Sequence, residues 1–191
     1  MKQLGFYLDQ SRCSGCYACA VACKDWNDIP AGPVHWRWVE TMESGKYPNP
    51  KVVNITLSCL HCVNPNCIEA CPADAITKRE EDGIVLVDRE KCLGKDACGM
   101  LCKDACSYDA PQFEAEENAK MQKCDFCLER WTEGKKPICV DACPLRALDS
   151  GPLDELKAKY GDIVKAEGFA YSAETAPAII FKPKSWKEMP A

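Results

Sequence analysis

Histidine is nearly missing from this chain of 191 residues: only His35 and His61 occur. With so few imidazoles to supply acid–base groups, no substrate site is visible in the sequence. Long apolar runs are missing too. No stretch approaches the roughly 20 residues that would span a bilayer, so direct membrane insertion is not expected. The start, Met1 to Cys13, lacks an apolar export core and a paired arginine, and it reads as mature sequence without a signal peptide of its own. There is no nucleophile motif and no phosphate loop. There is no basic tract either, and the formal net charge of −5 disfavours nucleic acid as a partner.

What the chain has in abundance is cysteine. Sixteen occur, a load that marks something other than an ordinary core. They fall into four groups of four: Cys13, Cys16, Cys19, Cys23; Cys59, Cys62, Cys67, Cys71; Cys92, Cys98, Cys102, Cys106; and Cys124, Cys127, Cys139, Cys143. The first group is C-x2-C-x2-C-x3-C, the run found in bacterial ferredoxins, with Lys24 where proline is usual. The second and fourth end in C-x3-C-P, at Pro72 and Pro144. An iron–sulfur cage needs thiolates from several directions, so a short loop wraps it with cysteines every third residue. Small neighbours such as Ser14, Gly15 and Ala18 let the backbone come close. A proline after the last cysteine turns the chain and lets that cysteine reach a different cluster.

Disulfides fit this pattern poorly, because cysteines three apart in a tight loop are badly placed to pair and nothing marks the chain as secreted. Structural zinc uses two separated C-x2-C pairs, not a third cysteine three residues on. A zinc-stabilised interaction module is the remote alternative from another class. The cysteines already fill the sites, so His61 is expected to pack or hydrogen-bond, and the tryptophans to serve core or interface. Cations beside the cysteines, namely Lys24, Lys123 and Arg146, are candidates to favour a reduced, more negative cluster.

The quartets sit in a repeated frame. Leu8-Asp9 precedes Cys13 at the offset at which Val87-Asp88 precedes Cys92. Cys71-Pro-Ala-Asp-Ala-Ile is echoed by Cys143-Pro-Leu-Arg-Ala-Leu and, more loosely, by Cys106-Ser-Tyr-Asp-Ala-Pro. Such repeats point to duplicated cluster-binding units. Ile76-Thr77, an acidic turn through Gly83, and Ile84 to Val87 predict a hairpin between the second and third quartets. Ser44 to Pro50 reads as a linker. Pro152 to Tyr160 predicts a helix and Ala178 to Phe181 a short strand, in a cysteine-free tail that packs on the core or on a partner. The acidic run Glu114, Glu116, Glu117 reads as a solvated face.

These words together resemble the four-cluster iron–sulfur subunits of dimethyl sulfoxide reductase-type molybdopterin oxidoreductases over nearly the whole length. The phrases that carry the likeness are Arg12-Cys-Ser-Gly-Cys-Tyr-Ala-Cys, Leu60-His61, Tyr108-Asp-Ala-Pro-Gln, and above all Glu133-Gly-Lys-Lys-Pro-Ile-Cys-Val-Asp-Ala-Cys-Pro-Leu-Arg-Ala-Leu-Asp-Ser-Gly-Pro. The resemblance implies an α+β chain of two ferredoxin-like modules, one inserted in the other: residues 1–51 with 113–150, then 52–112, with 151–191 as a C-terminal extension. It implies four [4Fe-4S] clusters, each taking three cysteines from one quartet and the last from its pairing partner. The sets would be Cys13, Cys16, Cys19 with Cys143; Cys124, Cys127, Cys139 with Cys23; Cys59, Cys62, Cys67 with Cys106; and Cys92, Cys98, Cys102 with Cys71.

The third quartet departs from the family spacing. On one register Lys95 displaces a ligand, the site holds a [3Fe-4S] cluster and Cys106 is spare. On the other, preferred because family-like residues follow Cys106, all four cysteines bind. The implied role is non-catalytic: single electrons pass between a molybdopterin (Mo or W) catalytic subunit and a quinone-linked membrane anchor or a soluble carrier. Location is then cytoplasmic, or exported or membrane-associated only through a partner subunit. A polyferredoxin serving a hydrogenase or other soluble oxidoreductase is the alternative within the redox class.

Overall fold

A computed structural model describes residues 2–184. The chain runs β1 (Leu4–Asp9), α1 (Ala18–Trp26), β2 (Arg37–Ser44), β3 (Lys51–Ser58), α2 (Asn66–Glu69), β4 (Ile76–Lys78), β5 (Val85–Val87), α3 (Lys95–Cys98), α4 (Leu101–Asp104), α5 (Leu128–Thr132), α6 (Ile138–Asp141), β6 (Leu148–Pro152), α7 (Leu153–Tyr160) and β7 (Ile179–Lys182).

β1 carries Leu4, Phe6, Tyr7 and Leu8 and ends on Asp9, and every residue of it is buried. It is the middle strand of a three-stranded sheet, antiparallel to β6 and parallel to β7. A strand covered on both faces should carry apolar residues at successive positions, not alternate ones, and Phe6-Tyr7-Leu8 does. One face, with Leu4, Phe6 and Leu8, joins Ile55, Phe126, Ile179 and Phe181 in the main core. On the other, Tyr7 packs with Leu156 and Ile180 and stacks on Tyr160 at 3.8 Å between ring centres. α7 bears Asp154 and Glu155 in its first turn and Lys157 and Lys159 in its last, the order that complements a helix dipole.

Three expectations are met closely: the hairpin forms as β4 against β5, the tail helix as α7, and the tail strand as β7. The expected linker at Ser44–Pro50 is instead the turn of a hairpin. β2 and β3 pair antiparallel from Arg37↔Ser58 to Ser44↔Lys51. Glycine and prolines mark a break in secondary structure, but they cannot say whether the chain wanders off or doubles back. Residues 185–191 of the anticipated tail lie outside the described residues.

The repeated sequence frame is a repeated structure. Asp9 Oδ1 accepts from Ser11 N–H at 2.9 Å, and Asp88 Oδ1 from Glu90 N–H at 3.0 Å. The carbonyls of the same two aspartates accept from Cys13 and Cys92 N–H, at 3.2 and 3.1 Å. Each is a side-chain turn that delivers the chain from a strand into a cysteine loop. On the exit side Asp74, Asp109 and Arg146 all adopt left-handed backbone (φ 49, 49 and 52°), three residues past Cys71, Cys106 and Cys143. These exits follow the short helices α2, α4 and α6, which carry Cys67, Cys102 and Cys139. Helices of four residues have no independent stability. The surrounding packing holds them.

Candidate iron–sulfur centres

The thiols converge on cavities. One is lined by Cys13, Cys16, Cys19 and Cys143. A second is lined by Cys71, Cys92, Cys98 and Cys102, and a third by Cys59, Cys62, Cys67 and Cys106. Their non-protein spaces are nearly equal, about 340, 350 and 340 Å³. The remaining four thiols also meet: Cys23 feels Cys139 and Cys127 electrostatically, and Cys124 feels Cys23 and Cys127. In each of the three cavities the last cysteine of one quartet stands among the first three of another.

Local backbone explains how the loops fit so tightly. Gly15, between Cys13 and Cys16, has φ 72°, and a Cβ there would lie 2.5 Å from Asn54 Oδ1. Asn54 Nδ2 donates to the Cys13 carbonyl at 3.1 Å, so β3 pins the first loop. Phe126, wedged between Cys124 and Cys127 at φ 64°, is fully buried and touches the rings of Phe6, His61 and Trp131.

Burial pushes the thiols up: Cys23, Cys62 and Cys67 to about 12, and Cys102 and Cys127 to about 11, with neighbouring cysteines adding to the effect. Thiolates in these positions need a cationic guest to balance them. A lone zinc ion holds sulfurs about 2.3 Å from one point. Among the described residues no group of three or more His, Cys, Asp or Glu converges closely enough to hold one metal ion. Four thiols standing around a chamber, not around a point, fit a multi-iron cage.

The third quartet splits in space. Cys106 faces the second-quartet cavity. Lys95 does not face the Cys92 cavity; its Nζ donates to the carbonyls of Glu114 and Ala115 at 2.9 and 3.0 Å. Of the three cations singled out from sequence, only Lys123 is buried beside the thiols. It lines the Cys59 cavity, and its Nζ donates to the Val85 and Cys124 carbonyls. Lys24 Nζ reaches the Gly32 carbonyl at 2.9 Å on the solvent side, and Arg146 is exposed.

Two further cations escaped the sequence reading because they are distant in sequence from the cysteines they approach. Lys78 Nζ donates to the carbonyls of Cys62 and Val63 at 2.9 and 2.8 Å. Arg37 is almost fully buried. The only sequence hint for Arg37 is its position between Trp36 and Trp38 at the start of a strand. His61 behaves as a packing residue: its Nδ1 accepts from Val85 N–H at 3.0 Å, and burial, with Lys123, Lys78 and Arg37, holds it well below the usual imidazole range. With Nδ1 accepting, the ring proton belongs on Nε2, which is buried without a hydrogen-bond partner among the described residues.

Fold and site together define a ferredoxin-like iron–sulfur protein. Residues 51–153 match the 4Fe-4S dicluster domain family. The chain is 42% identical over 191 residues to the B subunit of the anaerobic dimethyl sulfoxide reductase of Escherichia coli (strain K12), covering 96% of this chain and 90% of that subunit. It is 36% identical over 172 residues to the formate dehydrogenase iron-sulfur subunit of Wolinella succinogenes, covering 79% and 82%. It is 38% identical over 149 residues to a thiosulfate reductase electron transfer subunit of Salmonella typhi, covering 77% and 74%. The chain belongs to this family of iron–sulfur electron-transfer subunits of oxidoreductases, and its role is electron transfer, not catalysis. Among the described residues no helix is long and apolar enough to cross a membrane.

Proposed function

We propose that the chain holds four [4Fe-4S] clusters on the sets Cys13, Cys16, Cys19, Cys143; Cys23, Cys124, Cys127, Cys139; Cys59, Cys62, Cys67, Cys106; and Cys71, Cys92, Cys98, Cys102. The observation that carries this is the exchange of last cysteines, each of Cys71, Cys106 and Cys143 standing in its pairing partner's cavity. The placement of Lys95 and Cys106 favours four-cysteine ligation over a [3Fe-4S] site. The pairing supports two ferredoxin-like modules, 1–51 with 113–150 and an inserted 52–112, with 151–191 as an extension whose strand β7 completes the sheet beside β1.

The clusters supply one-electron redox chemistry when bound. The protein's own part is to ligate them, exclude water and set the local field. The sets lie in series. Cys19 and Cys139 interact electrostatically, which links the first two. Lys123 lines the Cys59 cavity and donates to the Cys124 carbonyl, which links the next pair. Cys67 and Cys102 pack in one apolar group, which links the last. Such a series relays single electrons between a molybdopterin (Mo or W) catalytic subunit and either a quinone-linked membrane anchor or a soluble carrier. Any membrane contact then runs through a partner.

The test is ligand exchange across quartets. Cys71→Ser combined with Cys98→Ser is expected to remove no more iron than either change alone, whereas Cys71→Ser with Cys62→Ser removes the iron of two clusters. Equal loss from both double variants would reject the ligand sets. Purifying the chain from its native source with a molybdenum- or tungsten-containing subunit tests the partner.

A further inference from the structure

We propose that Arg37 is a shared electrostatic tuning residue for two clusters, those on Cys13, Cys16, Cys19, Cys143 and on Cys23, Cys124, Cys127, Cys139, and that it holds both at higher reduction potential than a neutral side chain would. The inference rests on the ligand sets proposed above. Arg37 opens β2 with only 2% of its surface exposed. Its Nη1 donates to Thr56 Oγ1 at 3.4 Å and its Nη2 to Ser58 Oγ at 2.9 Å. Its guanidinium carbon sits 4.8 Å from the centre of the Phe6 ring. Its Nε is buried with no protein partner. All these contacts are neutral, and among the described residues no carboxylate forms an ion pair with it.

A guanidinium cannot shed its proton, so an unpaired one in a core needs anions nearby. The groups around Arg37 are cysteines. The Thr56 hydroxyl that it contacts lies 3.4 Å from Cys19 Sγ and lines the first cavity. Burial opposes the charge on Arg37, while Cys139, Cys19, Cys124 and Cys23 favour it, in that order. Cys19 belongs to one proposed set and the other three to the second; Cys19 and Cys23 both stand buried on α1, which packs against the strand that Arg37 opens, so one cation lies beside ligands of both sets. Each electron taken up adds negative charge, which a fixed neighbouring cation stabilises. Arginine suits the place because its planar fork spans two hydroxyls and lies on an aromatic face.

The decisive experiment is an EPR-monitored redox titration of the anaerobically purified full-length protein, with iron and sulfide counted on the same samples. At an effective dielectric of about 20, a unit charge within about 12 Å changes a one-electron equilibrium about tenfold. Arg37→Gln should therefore lower the reduced-to-oxidised ratio at fixed potential about tenfold or more in two clusters, a shift of about 59 mV per decade. Arg37→Lys should restore most of it, and the other two clusters should stay in place. Full iron and sulfide with unmoved ratios overturns the inference, as does an equal shift in all four clusters or an Arg37→Lys result matching Arg37→Gln. Wild-type protein without clusters would count against the ligand sets instead. If Arg37→Gln sheds clusters, arginine-selective ¹⁵N labelling decides. A weak nitrogen coupling on a reduced-cluster signal, lost in Arg37→Lys, is the expected result; no coupling in the wild type overturns the proposal.

Discussion

Replacing Lys123 with Met probes the electrostatic account at the cluster proposed for Cys59, Cys62, Cys67 and Cys106. The ammonium lines that cavity and is only 2% exposed, so solvent does little to screen it. Taking a separation of about 8 Å and an effective dielectric of about 20, it favours the added electron by about 2 kcal/mol. For a one-electron couple that is about 90 mV. The potential of this cluster should fall by roughly that amount in a redox titration followed by EPR, with cluster content unchanged. Methionine keeps the length of the side chain but cannot donate to the Val85 and Cys124 carbonyls, so a loss of about 1–3 kcal/mol in stability accompanies the shift. Lys24→Met is the control: its ammonium faces solvent at Gly32, and the shift there should be much smaller. Equal shifts from the two variants, or none from Lys123→Met at full iron content, would refute the claim that buried cations set the potentials.

Lys95→Cys should leave the iron count unchanged, since Lys95 points to the carbonyls of residues 114 and 115; a gain of one iron per chain would revive the register in which it displaces a ligand. Gly15→Ala forces a Cβ against Asn54 at a positive φ, and should cost about 1–3 kcal/mol in thermal unfolding and loosen the first cluster site; an unchanged midpoint would sink this reading. Asp149, held down to about 2 against burial by the Tyr160 hydroxyl, Lys136 and the Ser150 N–H, contributes stability above its unfolded value near 4 that is lost as pH falls toward 2. After allowance for solvent screening this is worth about 1 kcal/mol. Asp149→Asn should accordingly flatten the stability profile across that acid window, and a profile parallel to wild type would contradict the assignment.

The cysteine spacing made the chemistry legible, because a cage that needs thiolates from several sides leaves a period of three in the chain. The repeats at Asp9 and Asp88 were equally readable, since the same side-chain turn must precede each loop. The sequence hid whatever depends on pairing across distance. The β2–β3 hairpin looked like two segments and a linker, because the pairing of Arg37 with Ser58 spans a turn that resembles any other Gly- and Pro-containing break. Lys24, Lys123 and Arg146 looked alike beside their cysteines, yet only Lys123 is turned inward, by the Val85 carbonyl of a strand far from it in sequence. Arg37 could not be picked out at all. Its cysteine neighbours come from α1, α6 and the Cys124 loop, and only the folded chain brings them to β2.

Iron and acid-labile sulfide, measured on anaerobically purified full-length protein, test the central claim most directly. Four cubane clusters on sixteen cysteines predict about sixteen irons and a matching amount of sulfide per chain. Protein that carries zinc, or that holds no labile sulfide after reconstitution, would contradict it.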